Sequence, residues 1–269
     1  MRHAIAFTFA ASLLGTWAWA EDAVKNPLTE SPTWEDLRYD VLGDASVQEG
    51  EGPLGVDAPY RAHDAATVPI HLVQSDPDAR IESVTVVIDE NPAPVAGEFT
   101  FGSAMGPIDF EMRVRVNQYS NVRVITETGE GLYMTGRFVK ASGGCSAPAS
   151  KDPEQALAGM GQMKLRSFDQ SPAISTPRRE AQIMIRHPNY SGLQRDQVTQ
   201  LFIPAHFIDT IEVRQGDELL FNMTGGISIS ENPSFRFYYN DNGSTDLTVH
   251  ATDTEGNVFE STLPKSLDG

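Results

Sequence analysis

Cys145 is the only cysteine in this chain of 269 residues. A single thiol cannot form an internal disulfide. It serves as a reactive free thiol, as an intermolecular bridge or as a small buried hydrophobic residue. The residues around it decide among these roles.

The neighbours of Cys145 are small or interrupt regular structure. They are Gly143, Gly144, Ser146, Ala147 and Pro148. A segment of this composition is typical of a thin, flexible arm, so we expect an exposed and reactive thiol. The alternatives are an inert surface cysteine and a buried structural one.

Charges close in sequence bear on the reactivity of the thiol. Lys140 and Lys151 favour the thiolate, which is the nucleophilic form, whereas Asp152 opposes it. We therefore expect the two lysines to assist Cys145.

Other chemistry-bearing residues show no comparable setting. The five histidines after position 20 are His63, His71, His187, His206 and His250. They show neither metal-ligand spacing nor pairing with the cysteine, so we interpret them as structural. The sequence also lacks a Gly-x-Ser-x-Gly motif and a phosphate-binding glycine loop. We predict no catalytic residue, no metal site and no cofactor.

The composition excludes two classes of partner. With 37 acidic and 20 basic side chains the formal charge is −17, which repels nucleic acid and anionic lipid. The first twenty residues, MRHAIAFTFAASLLGTWAWA, have the pattern of a secretory signal peptide with cleavage after Ala20. No later segment has the apolar length of a membrane span, so we expect an exported protein in the periplasm without membrane insertion.

The elements that must position Cys145 are mostly strands. In DFEMRVRVN apolar and polar residues alternate, which predicts a half-buried strand with Arg113 and Arg115 on the solvent face. Similar runs with short turns between them, including Thr128 to Gly131, favour antiparallel sandwiches. One helix precedes the strands, with Ser31 as its cap and Pro32 in its first turn.

A change of pattern divides the chain into two all-β units. Between them lies a linker, residues 146–177, with one marginal helix that includes Leu157, Met160 and Lys164. The second strand series has the turn sequences Gln215 to Asp217 and Asp241 to Gly243, which are typical of hairpins. The predicted organisation is a signal peptide (1–20), a first β domain (21–145), the linker (146–177) and a second β domain (178–269).

Both units resemble known families. RAHDAATVPIHL, DFEMRVRVNQYSNVRVITETGEGLY and VKASGGC resemble SoxY, the sulfur-carrying subunit of bacterial thiosulfate oxidation. HPNYSGLQRD, IPAHFI and SENPSFRF resemble SoxZ, its partner subunit. The order is similar to that of the fused SoxYZ-like carriers associated with quinoprotein dehydrogenases.

The resemblance implies an all-β fold of two immunoglobulin-like antiparallel β-sandwich domains packed together. It further implies that Cys145 covalently holds a sulfur or thiosulfate-type intermediate, on a carrier arm that includes Gly143, Gly144 and Ser146. Such a carrier has no turnover of its own. It presents its cargo to periplasmic redox enzymes such as c-type cytochromes, to sulfur-compound hydrolases or to a quinoprotein dehydrogenase.

Two other functions are compatible with the sequence. One is a non-covalent accessory module of a quinoprotein alcohol dehydrogenase and its cytochrome. The other is a thiol hydrolase or transferase, which needs a histidine within hydrogen-bond reach of Cys145. An exposed lone thiol can also give a disulfide-linked dimer.

Overall fold

The computed structural model describes residues 26–50, 52–148, 157–168 and 178–265. Within these ranges the elements are α1 (Pro32–Leu42), β1 (Val47–Glu49), β2 (Leu54–Asp57), β3 (Val68–Gln74), β4 (Ile81–Ile88), β5 (Val95–Phe101), a 3-10 helix (Ser103–Met105), β6 (Asp109–Val114), β7 (Ser120–Thr128), β8 (Gly131–Val139), β9 (Met163–Ser167), β10 (Arg178–Ile185), β11 (Ile208–Gln215), β12 (Glu218–Gly225), β13 (Ser234–Asn240), β14 (Asp246–Asp253) and β15 (Val258–Pro264). The predicted all-β class is confirmed. The predicted signal peptide lies outside the described residues.

The strands form two sheets. One has nine strands in the order β1-β8-β7-β4-β5-β12-β11-β14-β15, and the other has six in the order β2-β3-β6-β13-β10-β9. Alternation of apolar and polar residues explains the core strands, because Phe110 and Met112 of β6 are fully buried while the alternate residues Glu111 and Arg113 are not. The ring of Phe110 meets that of Phe221 of the opposite sheet edge-on, with centroids 5.1 Å apart.

The two predicted sandwiches are joined by hydrogen-bonded strands. In the larger sheet β5 of the first unit pairs with β12 of the second, and in the smaller sheet β6 pairs with β13. A single cluster of buried apolar residues runs through both units. The two units therefore share their sheets and their core.

Helix α1 forms where the sequence predicts it. The Ser31 side chain accepts a hydrogen bond from the backbone N–H of Trp34, and Pro32 occupies the first turn. Trp34 is buried against Val87 and Met134, so the helix covers the outer face of β4 and β8. No helix within the described ranges is long and apolar enough to span a membrane.

Two local predictions are wrong. The linker helix does not extend to Lys164, because residues Met163–Ser167 form strand β9, which pairs with β10. Main-chain pairing at a sheet edge thus outweighs a weak helical spacing that Gly159 and Gly161 already interrupt. The turn at Asp241 to Gly243 leads from β13 in the smaller sheet to β14 in the larger one, so it closes no hairpin. The turns at residues 128–131 and 215–217 do join paired strands, β7 to β8 and β11 to β12.

A buried thiol at the junction of two sandwich units

Cys145 is fully buried, with 0% of its surface exposed. It follows β8, on a segment that we call the arm, residues 140–148. The expectation of an exposed thiol is wrong, because the small residues that suggested flexibility also let the arm lie close against the body of the protein. Ser142 and Ser146, on either side of the thiol, are exposed.

The arm is held by its own backbone. The N–H groups of Gly143 and Gly144 donate to the carbonyls of Asn117 (2.8 Å) and Val116 (3.0 Å). Gly143 has a φ of +80°, a left-handed conformation that glycine adopts without strain. A Cβ on Gly144 would lie 2.7 Å from the Val116 carbonyl oxygen and closer still to that of Ala65. Both glycines are therefore required by this bound geometry.

The second unit covers the arm. The Ser191 hydroxyl donates to the carbonyl oxygen of Cys145, and the side-chain amide of Gln194 donates to that of Ala147 over 3.0 Å. Sequence reasoning did not identify Ser191 and Gln194 as site residues. They lie in HPNYSGLQRD, one of the three stretches that carry the resemblance to SoxZ, and this was the available sign of their importance.

Burial raises the pKa of the Cys145 thiol to about 11, although the nearby Arg115 guanidinium acts to lower it. The positive group that acts on the thiol is thus Arg115. The amine of Lys140 lies over the ring of Tyr60, 4.7 Å from its centroid, and does not contribute. Lys151 lies outside the described residues.

Arg115 departs from the alternation that predicted it on the solvent face. It is only 1% exposed, because β6 ends at Val114 and residues 227–229 of the second unit hydrogen-bond to Arg115. Its Nη1 group donates to the carbonyls of Ile227 and Ile229 in the second unit. Its Nε group is buried and finds no acceptor among the described residues.

A thiol hydrolase needs a histidine hydrogen-bonded to the thiol. Among the hydrogen bonds of the described residues, none joins a histidine to Sγ of Cys145. The arrangement of a thiol hydrolase is therefore not formed by this part of the chain.

Two histidines instead share a buried carboxylate. His187 and His206 place Nε2 at 3.3 Å and 2.7 Å from the same oxygen, Oδ2, of Asp253. The two histidines lie 66 and 47 residues from Asp253 along the chain, so sequence spacing did not predict this cluster of three side chains. The three side chains offer ligand atoms within 4.8 Å of one another.

The acceptor positions of Asp253 are already occupied. Besides the histidines, it accepts hydrogen bonds from the Asn257 amide and from the backbone N–H groups of Glu255 and Asn257. Burial alone would raise the pKa of Asp253, but the hydrogen bonds from Asn257 and His206 lower it to about 2. Burial also lowers the pKa of His187. We interpret the group as a structural network of hydrogen bonds.

This network positions the loop that covers the arm. His187 Nδ1 accepts a hydrogen bond from the backbone N–H of Asn189 (3.0 Å), and the Asn189 side chain in turn bonds to Ile208 and Ser230. Ser191 follows two residues later. The histidine network therefore acts on the thiol indirectly, through the loop.

Comparison with known proteins assigns the two units to families. The model described as "Sulfur oxidation protein SoxY" matches residues 38–145, and that described as "Sulphur oxidation protein SoxZ" matches residues 173–264. Among solved structures, the sulfur carrier protein SoxY from Chlorobium limicola f thiosulfatophilum is 25% identical, with a TM-score of 0.34, covering 40% of this chain and 94% of that one. No curated protein matches the sequence significantly. With one SoxY half followed by one SoxZ half, the chain is a fused SoxYZ-like protein.

Proposed function

We propose that the protein is a periplasmic carrier that holds an oxidised sulfur group covalently on Cys145. One observation carries the proposal. The only cysteine of the chain is the last residue of the SoxY match, and the SoxZ half hydrogen-bonds directly to its carbonyl oxygen through Ser191. The predicted signal peptide supports a periplasmic location.

The geometry implies that the arm opens before it is loaded. A thiol with a pKa of about 11 is a thiolate in roughly one molecule in ten thousand at pH 7, and it is closed off from reagents. Opening requires the loss of the bonds from Ser191 and Gln194 and of those made by the two glycines. An exposed thiol returns to a pKa of about 8.5, so opening and activation are the same event.

Loading by thiosulfate is an oxidation. The thiol and thiosulfate form a sulfur–sulfur bond, giving Cys–S–S–SO₃⁻, with release of one proton and two electrons. A partner redox enzyme, such as a c-type cytochrome, takes up the electrons. Hydrolysis by a second partner adds water to the terminal sulfur, releases sulfate and leaves a persulfide on Cys145. The carrier itself supplies no turnover in this scheme.

The test is the mass of the intact protein isolated from its native periplasm under reducing-agent-free conditions. We expect a population with added sulfur on Cys145 in cells grown with a reduced sulfur compound. The Cys145→Ser variant should carry none, while a Thr262→Ala variant, altered at an exposed position of β15 away from the arm, should be loaded like the wild type.

Detection of only the unmodified thiol under all growth conditions would overturn the proposal. If Cys145→Ser also kept the growth phenotype, the alternative of a non-covalent accessory module of a quinoprotein dehydrogenase would take its place.

A further inference from the structure

Burial of the Arg115 guanidinium costs desolvation free energy that its contacts do not offset. Removing a guanidinium from water is expensive unless a carboxylate or a full set of acceptors replaces the water. None of the ion pairs among the described residues includes Arg115, and its hydrogen-bond acceptors are the neutral carbonyls of Ile227 and Ile229. One donor, the buried Nε group, remains unused.

Three groups act electrostatically on Arg115, and two of them are carboxylates. Burial lowers the pKa of Arg115, and three groups oppose this effect, with the Cys145 thiol first, followed by Glu231 and Asp64. Asp64 is itself engaged by the backbone N–H of Ala66 and by the hydroxyl of Thr67. The thiol is uncharged at neutral pH because of its raised pKa.

The backbone keeps Arg115 and Cys145 side by side. Gly144, immediately before the cysteine, donates to the carbonyl of Val116, immediately after the arginine. The backbone N–H of Arg115 donates to Ser228 of the second unit over 2.7 Å. The backbone of Arg115 is thus held next to the arm by both halves of the protein, and its guanidinium acts electrostatically on the thiol.

We propose that Arg115 binds the terminal sulfonate of the group that Cys145 carries, an inference that rests on the proposed function. A guanidinium is the preferred partner of an oxyanion, because it combines a permanent charge with several N–H donors in a fixed plane. In this proposal the arm moves outwards by the length of the adduct while the sulfonate lies at Arg115, and Ser142 and Ser146 on either side of the thiol are exposed. The site therefore holds an anionic adduct better than a neutral or a cationic one.

The test compares two adducts of equal length on the full-length protein. Methanethiosulfonate reagents carrying ethylsulfonate or ethyltrimethylammonium convert the thiolate into a mixed disulfide with release of methanesulfinate, independently of any native cargo. We expect the sulfonate adduct of the wild type to melt roughly 3 °C or more above the ammonium adduct, as one or two charge-assisted hydrogen bonds would give. Arg115→Met should abolish this difference, and Arg113→Met, at an exposed position of β6 two residues earlier, should keep it.

Equal melting temperatures of the two wild-type adducts would overturn the inference, and this comparison holds even if Arg115→Met fails to fold. A difference that persists in Arg115→Met would overturn it as well. The two proposals fail separately. Native protein that carries sulfur on Cys145 but shows no preference for the anionic adduct would contradict only the role of Arg115, whereas native protein without any adduct would contradict the carrier function.

Discussion

At the scale of single residues, the closed arm protects a reactive group. Oxidation of cysteine to sulfenic and higher acids proceeds through the thiolate and requires access. Burial denies both to Cys145, since it covers Sγ and raises the thiol pKa to about 11. A disulfide-linked dimer through Cys145 likewise requires that the arm first open.

The buried His187 makes stability depend on pH. Burial lowers its pKa below the ordinary value of 6.5, so the unfolded chain binds a proton that the folded protein excludes. The resulting stability is present above pH 6.5 and is lost as the pH falls from 6.5 to the folded-state value, by at most about 1.4 kcal/mol per pH unit. Urea unfolding at a series of pH values between 5 and 8 should show this decline. A second decline, due to Asp253 with its pKa of about 2, should begin below pH 4.

The control for this prediction is a histidine at the surface. His187→Asn should flatten the profile between pH 5 and 7, whereas His250→Asn, at a half-exposed position, should leave its shape unchanged. A decline that survives in His187→Asn would assign the pH dependence to other groups.

Sequence reasoning identified Cys145 and its glycines but not their environment. Local composition does not encode burial when the covering residues, Ser191 and Gln194, are more than forty positions away. Arg115 was misplaced for a related reason, because alternation predicts its face only while the strand continues, and β6 ends one residue earlier.

At the scale of elements, the arm depends on a close approach that only glycine allows at position 144. In Gly144→Ala the added Cβ meets backbone carbonyls, which cannot rotate away, and overpacking of this kind costs about 1–3 kcal/mol. Because the arm is the element free to move, we expect it to release and the alkylation of Cys145 by iodoacetamide to accelerate roughly tenfold or more. Intact mass measured over time gives the rate.

Gly55→Ala is the matched control, because a Cβ there lies 3.5 Å from the Val73 carbonyl oxygen, an ordinary contact. It should leave the alkylation rate at the wild-type value. An unchanged alkylation rate in Gly144→Ala would show that the added Cβ does not release the arm.

The strength of each pattern decided which elements could be predicted. Strand β6 and helix α1 have strong local patterns, alternation in one and a cap with proline in the other, and both were found where expected. Strand β9 forms by pairing with β10, and no local sequence pattern predicts such a pairing.

At the scale of the whole molecule, the shared sheets should hold the halves together without a covalent link. A protease site inserted within residues 149–156 separates the chain into fragments whose strands remain paired, β5 with β12 and β6 with β13. After cleavage we expect one peak of unchanged volume on gel filtration at micromolar concentration, since the fused core keeps both fragments buried against each other.

The same cleaved sample in urea is the control, and it should resolve into two fragments. Separate peaks without denaturant would show that the paired strands do not hold the units together.

Fusion through common sheets has a consequence for repair. A carrier assembled from two separate chains can exchange the chain whose thiol has been oxidised irreversibly to a sulfinic or sulfonic acid. Here the thiol half and the covering half are one polypeptide with one core, so irreversible oxidation of Cys145 requires replacement of the whole polypeptide. Burial of the Cys145 thiol therefore protects the whole molecule and not only the half that carries it.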